Sequence, residues 1–188
     1  IAGRLGADFQ VGFGPEQDAR VTPMIPPPAL EGVPDDALLN KVLANPPFDT
    51  AQANDREYRA AEIPAANGHG NARSVARIMS VLACGGTVDG VRLLSEDAIT
   101  RATTEECYRP DLVLMTPMRW GRGFMLASKD MPISPNPRTF GHGGAGGSLG
   151  IADMDARLSW AYVMNKMAAT TTGDARGGVV GMALYGCL

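Results

Sequence analysis

The chain has 188 residues, of which 45% are hydrophobic, and a net charge of −3 with an isoelectric point of about 5.4. This length suits one large domain or part of a larger one. The sequence has no basic run, so we do not expect nucleic acid as a partner. It has no apolar stretch of membrane length, so we expect no membrane span. The two histidines lie far apart and the cysteines are isolated and odd in number, so we expect no metal, no cofactor and no disulfide framework; the cysteines are Cys84, Cys107 and Cys187.

The N-terminal residues predict short elements joined by loops. Residues 1–6 have the pattern of the last turn of a helix, with Gly6 as a left-handed cap. We therefore expect the chain to begin inside an element, which suggests a cleavage, a missing upstream segment or residues outside the structure. Residues 8–14 alternate like a short strand, and residues 23–34 carry five prolines, which is typical of an extended surface linker.

Three helices and one hairpin are predicted next. Asp35 and Asp36 open the first helix, and Pro46–Pro47 stops it, whereas residues 49–61 are either a loop or a weak helix. The second helix is capped by Asn71, ends at Gly85–Gly86 and has one apolar face, made of Val75, Ile78, Met79 and Leu82. A hairpin around Asp89–Gly90 follows over residues 87–94, and a third helix runs from Ser95 to about Thr104.

The C-terminal part predicts strands and a last helix. We expect residues 105–117 to be irregular, residues 119–127 to form a strand and residues 128–138 to form a proline-rich loop. Hydrophobic residues then alternate on both sides of a turn at residues 153–156, which predicts a strand pair. A helix around residues 179–184 closes the chain. Helices followed by antiparallel strands indicate an α+β fold.

The glycine-rich run Phe140–Asp153 is the candidate functional segment. It holds six of the 23 glycines and one of the two histidines, His142. Glycines at a strand let a substrate lie close to free backbone N–H groups, and a histidine can transfer a proton near neutral pH. The alternative interpretation is a tight strand entry with a histidine that has only a structural role.

Several segments together resemble the serine β-lactamase-like hydrolases, and most closely the class C β-lactamase-like esterases known as family VIII carboxylesterases. They are Ile1–Phe9, Asn67–Gly70, Arg92–Ser95, Phe140–Gly147 and Tyr162–Met167. The resemblance implies part of a β-lactamase/transpeptidase-like fold, an antiparallel sheet flanked by helices. It covers the C-terminal half of a single domain, with residues 1–117 mainly helical or loop and residues 118–188 supplying sheet strands and the final helix.

The resemblance also assigns site residues. His142–Gly144 stands where β-lactamases have Lys-Thr-Gly, so His142 is expected to line the cleft and either to help hold the substrate or to assist proton transfer. Gly143 and Gly144 are expected to bind substrate, and the N–H of Ala145 to form half of an oxyanion hole. Asn165, with Lys166 beside it, falls where the family has an asparagine that occasionally contacts substrate.

The family's nucleophile motif, Ser-x-x-Lys, is absent from this sequence, because no serine has a lysine three residues later. No tyrosine has an asparagine two places on either, so the second motif is also missing. We expect both motifs on an N-terminal segment of the same protein, which would be a partner of this chain, and we expect this chain alone to be inactive.

The expected function of the intact protein is hydrolysis of short-chain esters through an acyl-enzyme. The alternatives are a β-lactam hydrolase or acyltransferase of the same family, and a non-catalytic fragment that binds or scaffolds. We expect a soluble bacterial protein, with the cytoplasm favoured but the compartment left open. His69 and Ser148 are assigned structural roles, and Trp120, Phe124 and Met125 are expected in the core or the cleft wall.

Overall fold

The computed structural model describes residues 1–29, 34–35, 37–45, 47 and 49–188. The predicted helix start at Asp36, the end of the proline-rich linker and the stop at Pro46 involve positions outside these residues. The α-helices within the described residues are α1 (Ala2–Leu5), α2 (Leu38–Ala44), α3 (Arg56–Ala60), α4 (Ala72–Ala83), α5 (Glu96–Thr103) and α6 (Ala175–Tyr185). Short 3₁₀ turns cover Pro15–Arg20, Thr50–Asn54 and Ala145–Gly147.

The described strands form one large sheet and two small ones. In chain order they are β1 (Phe9–Val11), β2 (Gly68–Gly70), β3 (Thr87–Val88), β4 (Val91–Arg92), β5 (Cys107–Pro110), β6 (Pro117–Trp120), β7 (Met125–Leu126), β8 (Thr139–Gly143), β9 (Leu149–Asp153) and β10 (Leu158–Tyr162). The large sheet is antiparallel with the order β10-β9-β8-β7-β6-β5. Pairs β1-β2 and β3-β4 form the small sheets. Helices with an antiparallel sheet confirm the α+β class.

Local sequence signals position the middle helices as predicted. The Asn71 side chain accepts the N–H of Ser74 at 2.9 Å and caps α4. The Ser95 hydroxyl accepts the N–H of Ala98 at 3.1 Å and caps α5. Between them, Asp89 and Gly90 both have positive φ, 46° and 76°, which is the geometry of a tight two-residue hairpin turn.

Two predictions for the strand region were wrong. Residues 105–117 are not all irregular, because β5 lies within them and pairs with β6. β5 is an edge strand, where exposed polar residues are tolerated and the alternation signal is weak. Residues 119–127 are not one strand, because the chain reverses between β6 and β7. Gly123, with a φ of 87°, makes this reversal possible, and the N–H of Gly121 donates to the carbonyl of Phe124 at 2.9 Å.

Helices α4 and α6 pack on opposite faces of the large sheet. Ser159 and Trp160 are neighbours on β10, so their side chains point to opposite faces. The Ser159 hydroxyl donates to the carbonyl of Ala76 in α4 at 2.9 Å. A Cβ on Gly181 of α6 would lie 2.8 Å from the Trp160 ring. The glycines that weaken the sequence signal of α6 therefore let this helix approach the sheet closely.

The main core lies between the sheet and the helices α4 and α5. Its buried members are Ala83, Ile99, Leu126, Phe140 and Ala152. The ring of Phe124 meets that of Phe140 edge-to-face, with centroids 5.1 Å apart. This core fixes the position of β8, the strand that carries His142.

Candidate active site

The last two residues of β8 leave a gap in the large sheet. β7 pairs with β8 only at Phe140 and Gly141, whereas β9 continues to pair with His142 and Gly143. On the β7 side, no paired residue lies opposite His142 in the described part of the chain. This strand end is therefore open on one side and supported by hydrogen bonds on the other.

The imidazole of His142 is exposed and has a defined proton position. Its Nδ1 lies 2.5 Å from the carbonyl oxygen of Gly143. A carbonyl can only accept a hydrogen bond, so Nδ1 carries the proton in this arrangement. In the neutral ring, Nε2 is then left with a free lone pair that can accept a proton from a substrate or another side chain.

Trp120 forms one wall beside His142. The two rings are stacked, with centroids 5.5 Å apart and planes 29° apart. The indole Nε1 of Trp120 donates to Oδ2 of Asp111 at 3.3 Å, while Oδ1 of Asp111 accepts the N–H groups of Val113 and Leu114 at 2.9 Å. Donation from Leu114 is the largest of the effects that lower the pKa of Asp111, so this carboxylate stays ionised and holds the indole.

An apolar cavity of about 610 Å³ opens against His142. This volume falls within the range of roughly 300–1,000 Å³ that small-molecule sites occupy. Its walls come from the sheet, from α4 and from the loop before β2, and comprise Pro64, Ala65, Val75, Met79, Gly123, Phe124, His142 and Gly150. Gly150 lies opposite His142 in the β8-β9 register, and this pairing places a residue without a side chain beside the imidazole. The cavity can therefore accept a small apolar group next to the imidazole of His142.

Residues 144–147, here called the glycine turn, follow β8. This turn leaves one backbone donor free. The carbonyl of Gly144 accepts the N–H groups of Gly173 at 3.1 Å and Gly147 at 3.2 Å. The N–H of Gly146 donates to the carbonyl of Thr170 at 3.0 Å. The N–H of Ala145 has no hydrogen-bond acceptor among the described residues, and Ala145 is exposed. A free N–H on a rigid turn is suited to receive a developing negative charge.

The two glycines assigned to substrate binding also have packing roles. A Cβ on Gly143 would lie 2.7 Å from the backbone nitrogen of Gly173. A Cβ on Gly144 would collide with the hydroxyl of Ser148. Gly143 therefore requires glycine, because its neighbour is backbone, whereas the Ser148 hydroxyl beside Gly144 can rotate away. Contact of either glycine with substrate stays a prediction.

Asn165 lies in the segment after β10, and its hydrogen bonds within the described residues join it to the N-terminal part of the chain. Its amide donates to the carbonyl of Pro23 at 3.4 Å, and its own carbonyl accepts the N–H of Ile25 at 2.7 Å. The next residue, Lys166, is linked to the turn, because the Arg176 side chain donates to the carbonyls of Lys166 and Gly146, both at 2.8 Å. A substrate contact by Asn165 stays a prediction.

His69 lies in β2 rather than beside the cavity. Its Nδ1 is 2.8 Å from the carbonyl oxygen of Asn67, and its ring meets Phe13 edge-to-face at 4.8 Å. These contacts fit the structural role predicted for His69. Ser148 is partly buried next to Gly144.

Sequence reasoning missed Arg176 and Asp174 and gave Asp111 no role. Arg176 follows Asp174 by two residues at the start of a helix, and no spacing rule connects this pair with a turn almost thirty residues earlier. Asp111 was hidden in a segment expected to be irregular. The strand pairing that brings Asp111 to Trp120 is a long-range feature, which periodicity does not reveal.

Comparison with known proteins identifies the family of this chain. Residues 6–181 match the Beta-lactamase family. The chain is 42% identical to a family VIII carboxylesterase of known structure, with a TM-score of 0.88. The match covers 100% of this chain and 50% of the carboxylesterase. The chain is 36% identical to a penicillin-binding protein homologue from Caulobacter crescentus, with a TM-score of 0.86 and the same coverage. The esterase/β-lactamase LipL of Mycobacterium tuberculosis is 37% identical over 123 residues, which are 65% of this chain and 28% of LipL.

The chain belongs to the Beta-lactamase family, and its fold is that of the β-lactamases and penicillin-binding proteins. This confirms the resemblance to family VIII carboxylesterases drawn from the sequence motifs. The chain spans about half the length of the solved structures that it matches. Within the described residues, no helix has the length and apolar character needed to cross a bilayer.

Proposed function

We propose that this chain forms one wall of the active site of a serine hydrolase that acts on short-chain esters through an acyl-enzyme. The observation that carries this proposal is the N–H of Ala145, which has no acceptor among the described residues and lies on a fixed turn three residues after an exposed histidine. Such a donor suits the oxyanion of a tetrahedral intermediate. The small apolar cavity beside His142 suits a short acyl or alkyl group.

The proposed reaction has two steps. A serine hydroxyl attacks the ester carbonyl carbon, its proton passes through a neighbouring base to the leaving alcohol, and the C–O bond to that alcohol breaks. The carbonyl oxygen becomes negative during the attack and accepts hydrogen bonds from Ala145 N–H and from the nucleophile's own N–H. Water then hydrolyses the acyl-enzyme. His142 lines the cleft and assists proton transfer through Nε2, while Gly143, Gly144 and Asn165 contact the substrate.

The proposal requires a partner segment, because the sequence contains no Ser-x-x-Lys. We assign this motif and the tyrosine motif to an N-terminal segment of the same protein. Two features support such a partner. β10 forms an edge of the large sheet, with no further strand beyond it in the described residues. On α6, Val179, Val180 and Met182 are 57%, 44% and 69% exposed, which leaves an apolar surface to be covered.

Two alternatives remain in competition with the esterase. One is a β-lactam hydrolase or acyltransferase, since one similar protein is called an esterase/β-lactamase. The other is a non-catalytic binding or scaffold protein, which would lack a Ser-x-x-Lys in the upstream part of its gene. The apolar lining of the cavity favours the ester, because β-lactam antibiotics carry a carboxylate and no lysine or arginine lines this cavity within the described residues.

The test is a substrate panel with the full-length gene product. We expect hydrolysis of p-nitrophenyl acetate and butyrate with a kcat/KM at least a hundredfold above that for nitrocefin, and a decline for acyl chains longer than about eight carbons. Equal or greater activity on nitrocefin would favour the β-lactam alternative. No turnover of any substrate, with no serine nucleophile in the upstream sequence, would favour the scaffold.

A further inference from the structure

The N-terminal end of α6 is tied directly to the glycine turn, residues 144–147. The guanidinium of Arg176 donates to the carbonyl oxygens of Gly146 and Lys166, each at 2.8 Å. It also forms an ion pair with Asp174, whose Oδ2 accepts from Nε at 2.9 Å. One side chain thus joins the turn, the segment after β10 and the start of the last helix.

The Asp174–Arg176 ion pair also packs against the backbone of the glycine turn. The backbone of Gly147 has a φ of 120°, and a Cβ there would collide with the carboxylate of Asp174 and lie 2.9 Å from Nη2 of Arg176. Asp174 also accepts the backbone N–H of Arg176 at 2.7 Å and caps α6. The Arg176–Asp174 hydrogen bond is the main reason why the pKa of Asp174 is lowered, so both partners are charged at neutral pH.

The bonds around the turn set the direction of the free Ala145 N–H. In a trans peptide the C=O of Gly144 and the N–H of Ala145 point in opposite directions. The carbonyl of Gly144 is held by the N–H of Gly173, the residue before Asp174, and by the N–H of Gly147. Gly146 is held through its carbonyl by Arg176 and by the N–H of Ala168 at 2.9 Å. The carbonyl of Gly144 belongs to the peptide that carries the Ala145 donor, and the carbonyl of Gly146 anchors the other end of the same turn.

We propose that the Asp174–Arg176 pair is a positioning device that holds the glycine turn so that the N–H of Ala145 points at the reacting carbonyl oxygen. This inference rests on the proposed oxyanion role of Ala145. Arg176 acts as a positioning residue through the peptide of Gly146, to which it donates directly, and through the turn that this peptide shares with Ala145. Loss of the guanidinium should therefore weaken binding of the transition state far more than binding of the substrate.

The experiment uses the full-length enzyme with Arg176→Lys and Arg176→Ala. Lysine keeps the charge and most of the stem but cannot donate to both carbonyls and to the carboxylate at once. We expect kcat to fall about tenfold for Arg176→Lys and about a hundredfold for Arg176→Ala, with KM changed less than threefold. Affinity for a trifluoromethyl ketone, which forms an oxyanion adduct, should fall in parallel with kcat/KM. Millimolar guanidinium should restore part of kcat to Arg176→Ala and none to Arg176→Lys.

Arg77 provides a matched control. Its guanidinium likewise joins a carboxylate, Asp89 at 2.6 Å, to a backbone carbonyl, that of Leu5 at 3.3 Å. Arg77→Lys should keep kcat within twofold of the wild type. Unchanged kcat in both Arg176 variants, in an enzyme that hydrolyses esters, would overturn the positioning role. A fall in kcat that is matched by a proportional rise in KM, without loss of ketone affinity, would overturn it too. Absence of ester hydrolysis in the wild type would instead overturn the proposed function.

Discussion

Replacement of His142 by alanine is expected to lower kcat/KM of the full-length protein for p-nitrophenyl acetate by about tenfold to a thousandfold, the scale of a lost acid–base group. The imidazole presents Nε2 to the cleft because Nδ1 is engaged by the carbonyl of Gly143. Alanine removes this acceptor and also the ring that stacks on Trp120. Because His142 is exposed, the thermal midpoint should change little.

His69 is the matched control for this variant, since it is the other histidine of this sequence. It is half-buried and bonded to the carbonyl of Asn67. His69→Ala should therefore lower the thermal midpoint while leaving kcat/KM of the folded enzyme within about threefold. Full activity of the His142→Ala variant would show that His142 takes no part in the reaction.

Replacement of Asp153 by asparagine is expected to destabilise the protein by about 3 kcal/mol, because the donors around this buried side chain lose their charged acceptor. Asp153 is fully buried at the end of β9. Its Oδ1 accepts two backbone N–H groups of the following turn, and its Oδ2 accepts from the side chains of Ser134 at 3.2 Å, Asn136 at 2.8 Å and Tyr185 at 2.8 Å. One carboxylate therefore ties β9 to the proline-rich loop and to α6.

The same carboxylate gives a defined pH dependence. Burial opposes ionisation of Asp153, but the donated hydrogen bonds outweigh it and lower its pKa below the ordinary value. A lowered folded-state pKa means that this stabilisation is present above the unfolded pKa, near pH ~3.9, and is lost as the pH falls through the folded value. Urea unfolding should show the gap between wild type and Asp153→Asn at pH 7, and this gap should shrink as the pH falls below the unfolded pKa of ~3.9.

Asp130 is the matched control, because it also accepts a hydrogen bond from a tyrosine, Tyr108, but on the surface. Asp130→Asn should change the unfolding free energy by less than about 0.5 kcal/mol. Equal stability of Asp153→Asn and wild type at pH 7 would contradict the role assigned to Asp153.

Much of the fold could be predicted from sequence, because its signals are local. Asn71, Asp89–Gly90 and Ser95 each define an element boundary through a side-chain cap or a turn conformation. The alternation on both sides of residues 153–156 is equally local and gives β9 and β10. By contrast, β5 and the break between β6 and β7 depend on pairing partners and on burial, and neither leaves a periodic pattern in a short, half-exposed strand.

The same distinction between local and long-range signals applies to the candidate site. His142 and the glycines around it are contiguous, so a motif reveals them together. The stacking of Trp120, its hold by Asp111 and the contact of Arg176 with the turn join residues that are far apart in the chain. Only the folded chain brings the members of each contact together.

The most direct test of the central claim is to map fluorophosphonate labelling by mass spectrometry. The full-length gene product should carry one label, on a serine of a Ser-x-x-Lys motif outside residues 1–188. The present chain alone should neither be labelled nor hydrolyse esters, since its sequence contains no Ser-x-x-Lys. Adding the upstream segment in trans should restore labelling on that segment. A label on Ser148, or on any other serine of the present chain, would contradict the account.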